Sequence, residues 1–201
     1  MARPNASGLY PTVLENVRVL FDGIPGTMYF VTRDEVAAIV PYAMAGRNSV
    51  KVVVEYQGAV SREVDARVVD TSPGIFTQTA TGLGAGVIQN ADYSLNTPSN
   101  AVARGSYVII YVTGEGALVP AARDGEQASL TVLRRPIASV DVRIDGQAAE
   151  LIFAGAVPTL VHGVAQVVAY VPQAARPGAA IPVEVIIGGR PSQAGVTLSV
   201  R

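Results

Sequence analysis

The chain has 201 residues, 49% of them hydrophobic and 15% charged, with a net charge of −1 and no cysteine. That length and apolar content exclude a disordered chain and leave enough sequence to bury a substantial core. A near-neutral balance without a basic run offers no electrostatic footprint for nucleic acid or for an anionic membrane, and the missing cysteines exclude a disulfide scaffold and thiol chemistry.

The apolar residues are mainly Val and Ala, with no Trp and only four Phe, a composition suited to strands rather than helices. No apolar stretch approaches the roughly 20 residues needed to cross a bilayer, so membrane insertion is not expected. Met1 to Asn5 lacks the apolar core of a signal peptide, so the chain either stays inside the cell or is a processed piece of a longer one.

In chain order, Ser7 to Leu14 contains Pro11 and makes a poor strand. Val17, Val19 and Phe21 then alternate with Arg18, Leu20 and Asp22, the period of a half-buried strand. Val50, Val52, Val54 and Tyr56 form one face of the next long strand. The turn pairs Asp22-Gly23, Gln57-Gly58, Asp145-Gly146 and Gly188-Gly189 predict tight hairpins. Val17 to Gly23 returns 123 positions later as Val140 to Gly146, and Met28 to Val31 lies over Leu151 to Ala154 at the same offset. Eight extra residues in the second copy move the offset to 131, at which Val36 to Pro41 lies over Val167 to Pro172 and Val50 to Gly58 over Ile181 to Gly189. Such a repeat marks a duplicated folding unit.

The expected fold is all-β: two tandem immunoglobulin-like sandwiches, residues 1–72 and 73–201. The second domain has a loop-rich N-terminal extension. Its continuously apolar segment Ser106 to Gly114 reads as an early strand buried on both faces, with Tyr107 and Tyr111 in the core. Tyr10, Tyr42, Tyr93 and Tyr170 are expected to be partly exposed. No counterpart of Ser106 to Gly114 precedes the first repeat, so the first domain lacks one or two strands. Three explanations stand open: a small domain, a boundary cut within a domain, or a strand supplied by a neighbour. Under the last, the open edge is expected at Val13, Val17, Val19, Phe21, Val50, Val52, Val54 and Tyr56, where self-association into an oligomer or polymer would occur.

Catalytic signals are few. His162 is the only histidine and reads as a loop residue. No nucleophile elbow, phosphate loop or zinc motif is present. Gly82 to Gly86 lacks the Lys-Ser/Thr of a phosphate loop and reads as a flexible turn. Asp34-Glu35 and Asp124-x-Glu126 read as solvated loop charges. Asn90, Asp92, Ser94 and Asn96 carry oxygens at every second position, the spacing by which short loops wrap Ca²⁺, and an Asn/Asp turn explains the same pattern.

The ordered motifs Asp22-Gly23-Ile24-Pro25, Tyr29-Phe30-Val31, Val40-Pro41-Tyr42, Ser72-Pro73-Gly74-Ile75-Phe76, Asn96-Thr97-Pro98-Ser99-Asn100, Arg104-Gly105, Tyr111-Val112-Thr113-Gly114-Glu115-Gly116 and Asp124-Gly125 resemble the Solibacter-type uncharacterised C-terminal domain family. Each repeat also resembles part of an IPT/TIG immunoglobulin-like module. The first resemblance implies an extracellular or cell-surface module at the end of a large exported bacterial protein, and no activity. Members often carry Asn-x-Asp-Gly-Ser where this chain has Tyr93 in place of the glycine. The function expected is non-enzymatic, structural or adhesive, working by strand addition. A polysaccharide-binding accessory module is the alternative, and it requires exposed tyrosines on one face.

Overall fold

The computed structural model describes residues 1–201. The chain is all-β, and its one helical element is a 3-10 turn at Tyr42–Met44. No helix is long and apolar enough to cross a membrane. Two compact units form, one from residues 1–70, 120–133 and 158–162, the other from 71–119, 134–157 and 163–201. The expected contiguous division at 72/73 thus gives way to a first break at 70/71 and two later segments that join the first unit. The physical reason is backbone pairing. Ala128 N–H donates to Leu160 O at 2.7 Å, Thr159 N–H to Ala128 O at 2.9 Å and Gln127 N–H to Gly8 O at 2.8 Å.

The first unit contains β1 (Val17–Phe21), β2 (Ile24–Pro25), β3 (Thr27–Val31), β4 (Val36–Ile39), β5 (Ser49–Tyr56), β6 (Ala59–Val60) and β7 (Val64–Arg67). One sheet runs β2-β1-β5, with β6 and β7 sharing the far side of β5, and β3 pairs with β4 separately. Val17, Val19, Phe21 and Val50 from the sheet bury against Met28 of β3 and Met44 of the 3-10 turn.

The second unit contains β8 (Gly74–Ile75), β9 (Gly84–Ala85), β10 (Ile88–Asn90), β11 (Tyr107–Thr113), β12 (Leu118–Val119), β13 (Arg135–Pro136), β14 (Val140–Ile144), β15 (Gln147–Ala149), β16 (Leu151–Ala156), β17 (Ala165–Tyr170), β18 (Gly178–Ile187), β19 (Arg190–Pro191) and β20 (Val196–Val200). One sheet runs β10-β11-β17-β16 with β8 against β11, the other β15-β14-β18-β20-β9 with β19 against β18, and β12 pairs with β13. Both sheets feed one core: Val108, Ile110, Val112, Val167 and Ala169 from the first meet Val142, Ile144, Val183, Val185, Ile187 and Leu198 from the second. This is a sandwich built from period-2 strands whose alternate residues turn inward. Gly82 to Gly86 is more than a loose turn, because Gly84–Ala85 pairs in parallel with β20 and ends that sheet.

The duplication holds in the hairpins and in the pairing of the two central strands. Val19 faces Val54 as Val142 faces Val185, and Phe21 faces Val52 as Ile144 faces Val183. The same β-bulge interrupts β3 against β4 between Met28 and Phe30 and β16 against β17 between Leu151 and Phe153. Ser61 closes its hairpin on Val54 through N–H and hydroxyl, and Ser192 does so on Val185. The turns of both copies have positive φ at both central residues, as at Asp22-Gly23 (48° and 80°) and Asp145-Gly146 (55° and 71°), which is the geometry of two-residue hairpins. Each turn aspartate also holds an arginine: Asp22 binds Arg47 and Asp145 binds Arg176. Hydrogen bonds from Arg176 hold the Asp145 carboxyl down, to about 2.

The open edge of the first unit is not on the two strands where the want of an early strand led it to be expected. Val17, Val19 and Phe21 lie on β1, which pairs with β2 and β5. Val50, Val52, Val54 and Tyr56 lie on β5, which pairs with β1 on one side and with β6 and β7 on the other. Both strands therefore have their backbone groups engaged on each flank, and Val13 sits in the segment before β1. Hydrophobic alternation identifies a half-buried strand but carries no information about which strands are central.

Candidate binding face

Strand β11 explains how the tyrosines are placed. Val108, Ile110 and Val112 are its inward residues, all completely buried, so pleating turns Tyr107, Ile109 and Tyr111 to the opposite face. This corrects the core placement expected for the two tyrosines. Across the sheet, Tyr107 faces Tyr170, Ile109 faces Val168 and Tyr111 faces Gln166. Gln89 of β10 faces Ile109, and Phe153 of β16 faces Val168. The outer face thus has a middle row of Phe153, Val168 and Ile109, of which Ile109 is itself buried at 5% exposed, flanked by half-buried tyrosines and by amides.

The Tyr107 and Tyr111 phenols are both hydrogen-bonded. Tyr107 and Tyr170 meet edge to face with centroids 6.4 Å apart, a favoured aromatic geometry. Tyr107 donates to Ala91 O at 3.2 Å, and Tyr111 donates to Gln89 Oε1 at 2.8 Å. Arg135 lies over the Phe153 ring at 5.0 Å. Burial, and secondarily the nearby Tyr93 phenol, push the Tyr111 phenol above its ordinary range. Tyr170 is 40% exposed and Tyr93 70% exposed. Tyr170 also walls a cleft of about 340 Å³ together with Gly105, Glu150, Val171, Pro172 and Gln173.

The loop proposed for Ca²⁺ is what presents Tyr93. Its oxygens are engaged locally: Asp92 Oδ1 accepts from Ser94 N–H at 3.0 Å and Ser94 hydroxyl at 2.5 Å. Asn90 Oδ1 accepts from Asn96 Nδ2 at 3.0 Å, and Asn96 Oδ1 from Ser199 N–H at 2.7 Å. The Ser94 bonds hold the Asp92 carboxyl below its usual value. No group of three or more acidic or histidine side chains gathers around a common point. What the four residues build is a turn in which Tyr93 takes φ +64°, the left-handed region that costs a non-glycine residue roughly 1–2 kcal/mol.

Of the other sequence candidates, His162 lies in a turn, as read from the sequence, and its side chain is buried there, 2% exposed, in the 158–162 segment of the first unit. Tyr10 is buried rather than partly exposed, and burial raises its phenol. Asp124 spends Oδ1 on the Tyr42 N–H at 2.9 Å. Glu115, which sequence reasoning passed over as part of a motif, is 2% exposed with no normal hydrogen bond to either carboxyl oxygen. Burial raises it to about 7, partly offset by the approaching Gly163 N–H. No family model, curated protein or solved structure matches the chain.

Proposed function

We propose that the chain is a non-enzymatic adhesive module that works outside the cell, and that it holds polysaccharide on the tyrosine face of the second unit. A pyranose ring has an apolar face of C–H groups that stacks on an aromatic ring, and its edge hydroxyls need amide or carboxyl partners. Tyr93, Tyr170 and the half-buried Tyr107 and Tyr111 offer the rings; Gln89, Gln166 and the Glu150–Gln173 cleft offer the partners. One observation carries the reading. Tyr93, a large aromatic that is 70% exposed, is held at the tip of a turn at φ +64°, where glycine would fit without strain, and such retained strain is the motive for a functional hypothesis.

The test is retention of the purified chain on insoluble cellulose, chitin and xylan, with the variants Tyr93→Gly and Tyr170→Ala. Tyr93→Gly is expected to raise stability by up to about 1 kcal/mol, because the strain is relieved, and to weaken retention about tenfold. Tyr170→Ala is expected to weaken retention by a similar factor, as loss of an aromatic anchor does. Absence of retention on all three polymers, or retention unchanged in both variants, would overturn the proposal.

A further inference from the structure

Strand β4 of the first unit has a neighbour on one side only, and the second unit shows which strand lies on the other side of its counterpart. Because the two copies agree in register, hairpins and bulge, β4 is to the first unit what β17 is to the second. Strand β17 has two neighbours, β16 and β11, whereas β4 pairs with β3 alone. The burial record follows. On β17 and just beyond it, Val167, Ala169 and Val171 are at most 1% exposed. Their counterparts Val36 and Ala38 are only partly buried, and Val40 is 49% exposed. Apolar residues that the repeat dedicates to a core are left half uncovered on one flank.

The backbone shows the same gap. Tyr170 N–H bonds Glu150 O on the β16 side, while Val171 N–H bonds Ser106 O at 2.8 Å and Val171 O accepts from Gly105 N–H at 2.8 Å on the β11 side. Since bonding direction alternates along a strand, the equivalent groups of Val36, Ala38 and Val40 face the flank that no strand of the first unit occupies. The 120–133 segment reaches the end of this strand, where Asp124 accepts from Tyr42 N–H, but forms no ladder along Val36–Ile39.

We propose that the free side of β4 receives an antiparallel strand from a separate polypeptide. The internal copy specifies its chemistry. It is an extended segment of five or six residues, as in Tyr107 to Val112, with β-branched apolar residues at alternate positions to cover Val36 and Ala38. Main-chain bonds would supply the affinity and the inward apolar side chains the specificity. An edge with unpaired donors and exposed apolar residues is otherwise a site of unwanted association.

The probe is a synthetic peptide of residues 106–114 carrying a lysine tail for solubility, followed by amide hydrogen exchange on the intact chain. Exchange at Val36, Ala38 and Val40 is expected to slow at least tenfold with the peptide and to be unaffected by a peptide of scrambled order. Slowing in the free chain as its concentration rises would also support the proposal, with a second copy as donor. Ala38→Pro removes one donor on the free side and is expected to abolish the peptide effect. If these amides already exchange as slowly in the dilute free chain as those of Val167 and Ala169, or if the peptide changes nothing, the proposal fails.

Discussion

Replacing Gly114 by alanine is expected to destabilise the chain by more than about 3 kcal/mol, at least about twice the effect of alanine at Gly82. Both glycines have positive φ, +75° at Gly114 and +79° at Gly82, so both substitutions carry the left-handed penalty of roughly 1–2 kcal/mol. The difference is space. A Cβ on Gly82 meets nothing within 4 Å, whereas a Cβ on Gly114 would lie 1.8 Å from Ser72 O and 2.4 Å from Ser72 C. Those atoms are backbone and cannot swing aside. Ser72 N–H is also bonded to Gly114 O at 2.9 Å, immediately beside the pairs Thr113–Gly74 and Val112–Ile75 that hold β8 on β11. Moving Ser72 would peel β8 away, with Ile75 leaving the core and the clasp of Gln193 on the Ile75 N–H and C=O breaking. Urea unfolding followed by circular dichroism measures both variants; equal midpoints would show that Ser72 does not pass over Gly114 as described.

The Gly-Glu-Gly run after Tyr111 was visible in the sequence as part of a resemblance, but its reason was not, because the Ser72 carbonyl that demands Gly114 is 42 positions away. The same limit separates what was legible from what was not throughout the chain. Offsets of 123 and 131 between Val-rich segments are local patterns, and they fixed the strands, the hairpins and the equivalence of the copies. Sheet order is non-local. Nothing in the alternation of Val50, Val52 and Val54 says that β5 is central, or that β4, with four unremarkable residues, is the strand with a free flank. The tyrosine face failed to show for a different reason. Residues 107–112 are all apolar or aromatic, so a period of two has no contrast with which to assign faces. The usable signal was size and amphipathicity: Tyr107 and Tyr111 alternate with Val108, Ile110 and Val112, and a phenol usually seeks a polar partner.

Glu115→Gln is expected to leave stability unchanged near pH 4 and to raise it by about 3 kcal/mol at pH 8. The carboxyl has an ordinary value of 4.5 and is raised to about 7 in the folded chain, chiefly by burial. The folded state therefore binds a proton more tightly than the unfolded state does. Between those two pH values the folded chain carries more protons, so stability falls as pH rises. The contribution is whole below pH 4.5 and gone once pH passes about 7, where the buried group must ionise without a normal hydrogen bond to either oxygen. Asp145 and Asp92 act with the opposite sign and in a lower window. Their carboxyls are held down, Asp145 to about 2 by Arg176 and Asp92 by Ser94. Their stabilisation is present above the ordinary carboxylate value and is lost only as pH falls through the depressed one. Taken together, these three carboxyls favour the folded chain most near pH 4 to 5. Urea midpoints taken from pH 3 to 8 for both chains isolate Glu115, because subtracting the glutamine variant removes every other titrating group. A difference curve that stays flat between pH 4.5 and 7, or that rises in favour of the natural chain, would mean that Glu115 is not buried as a neutral acid.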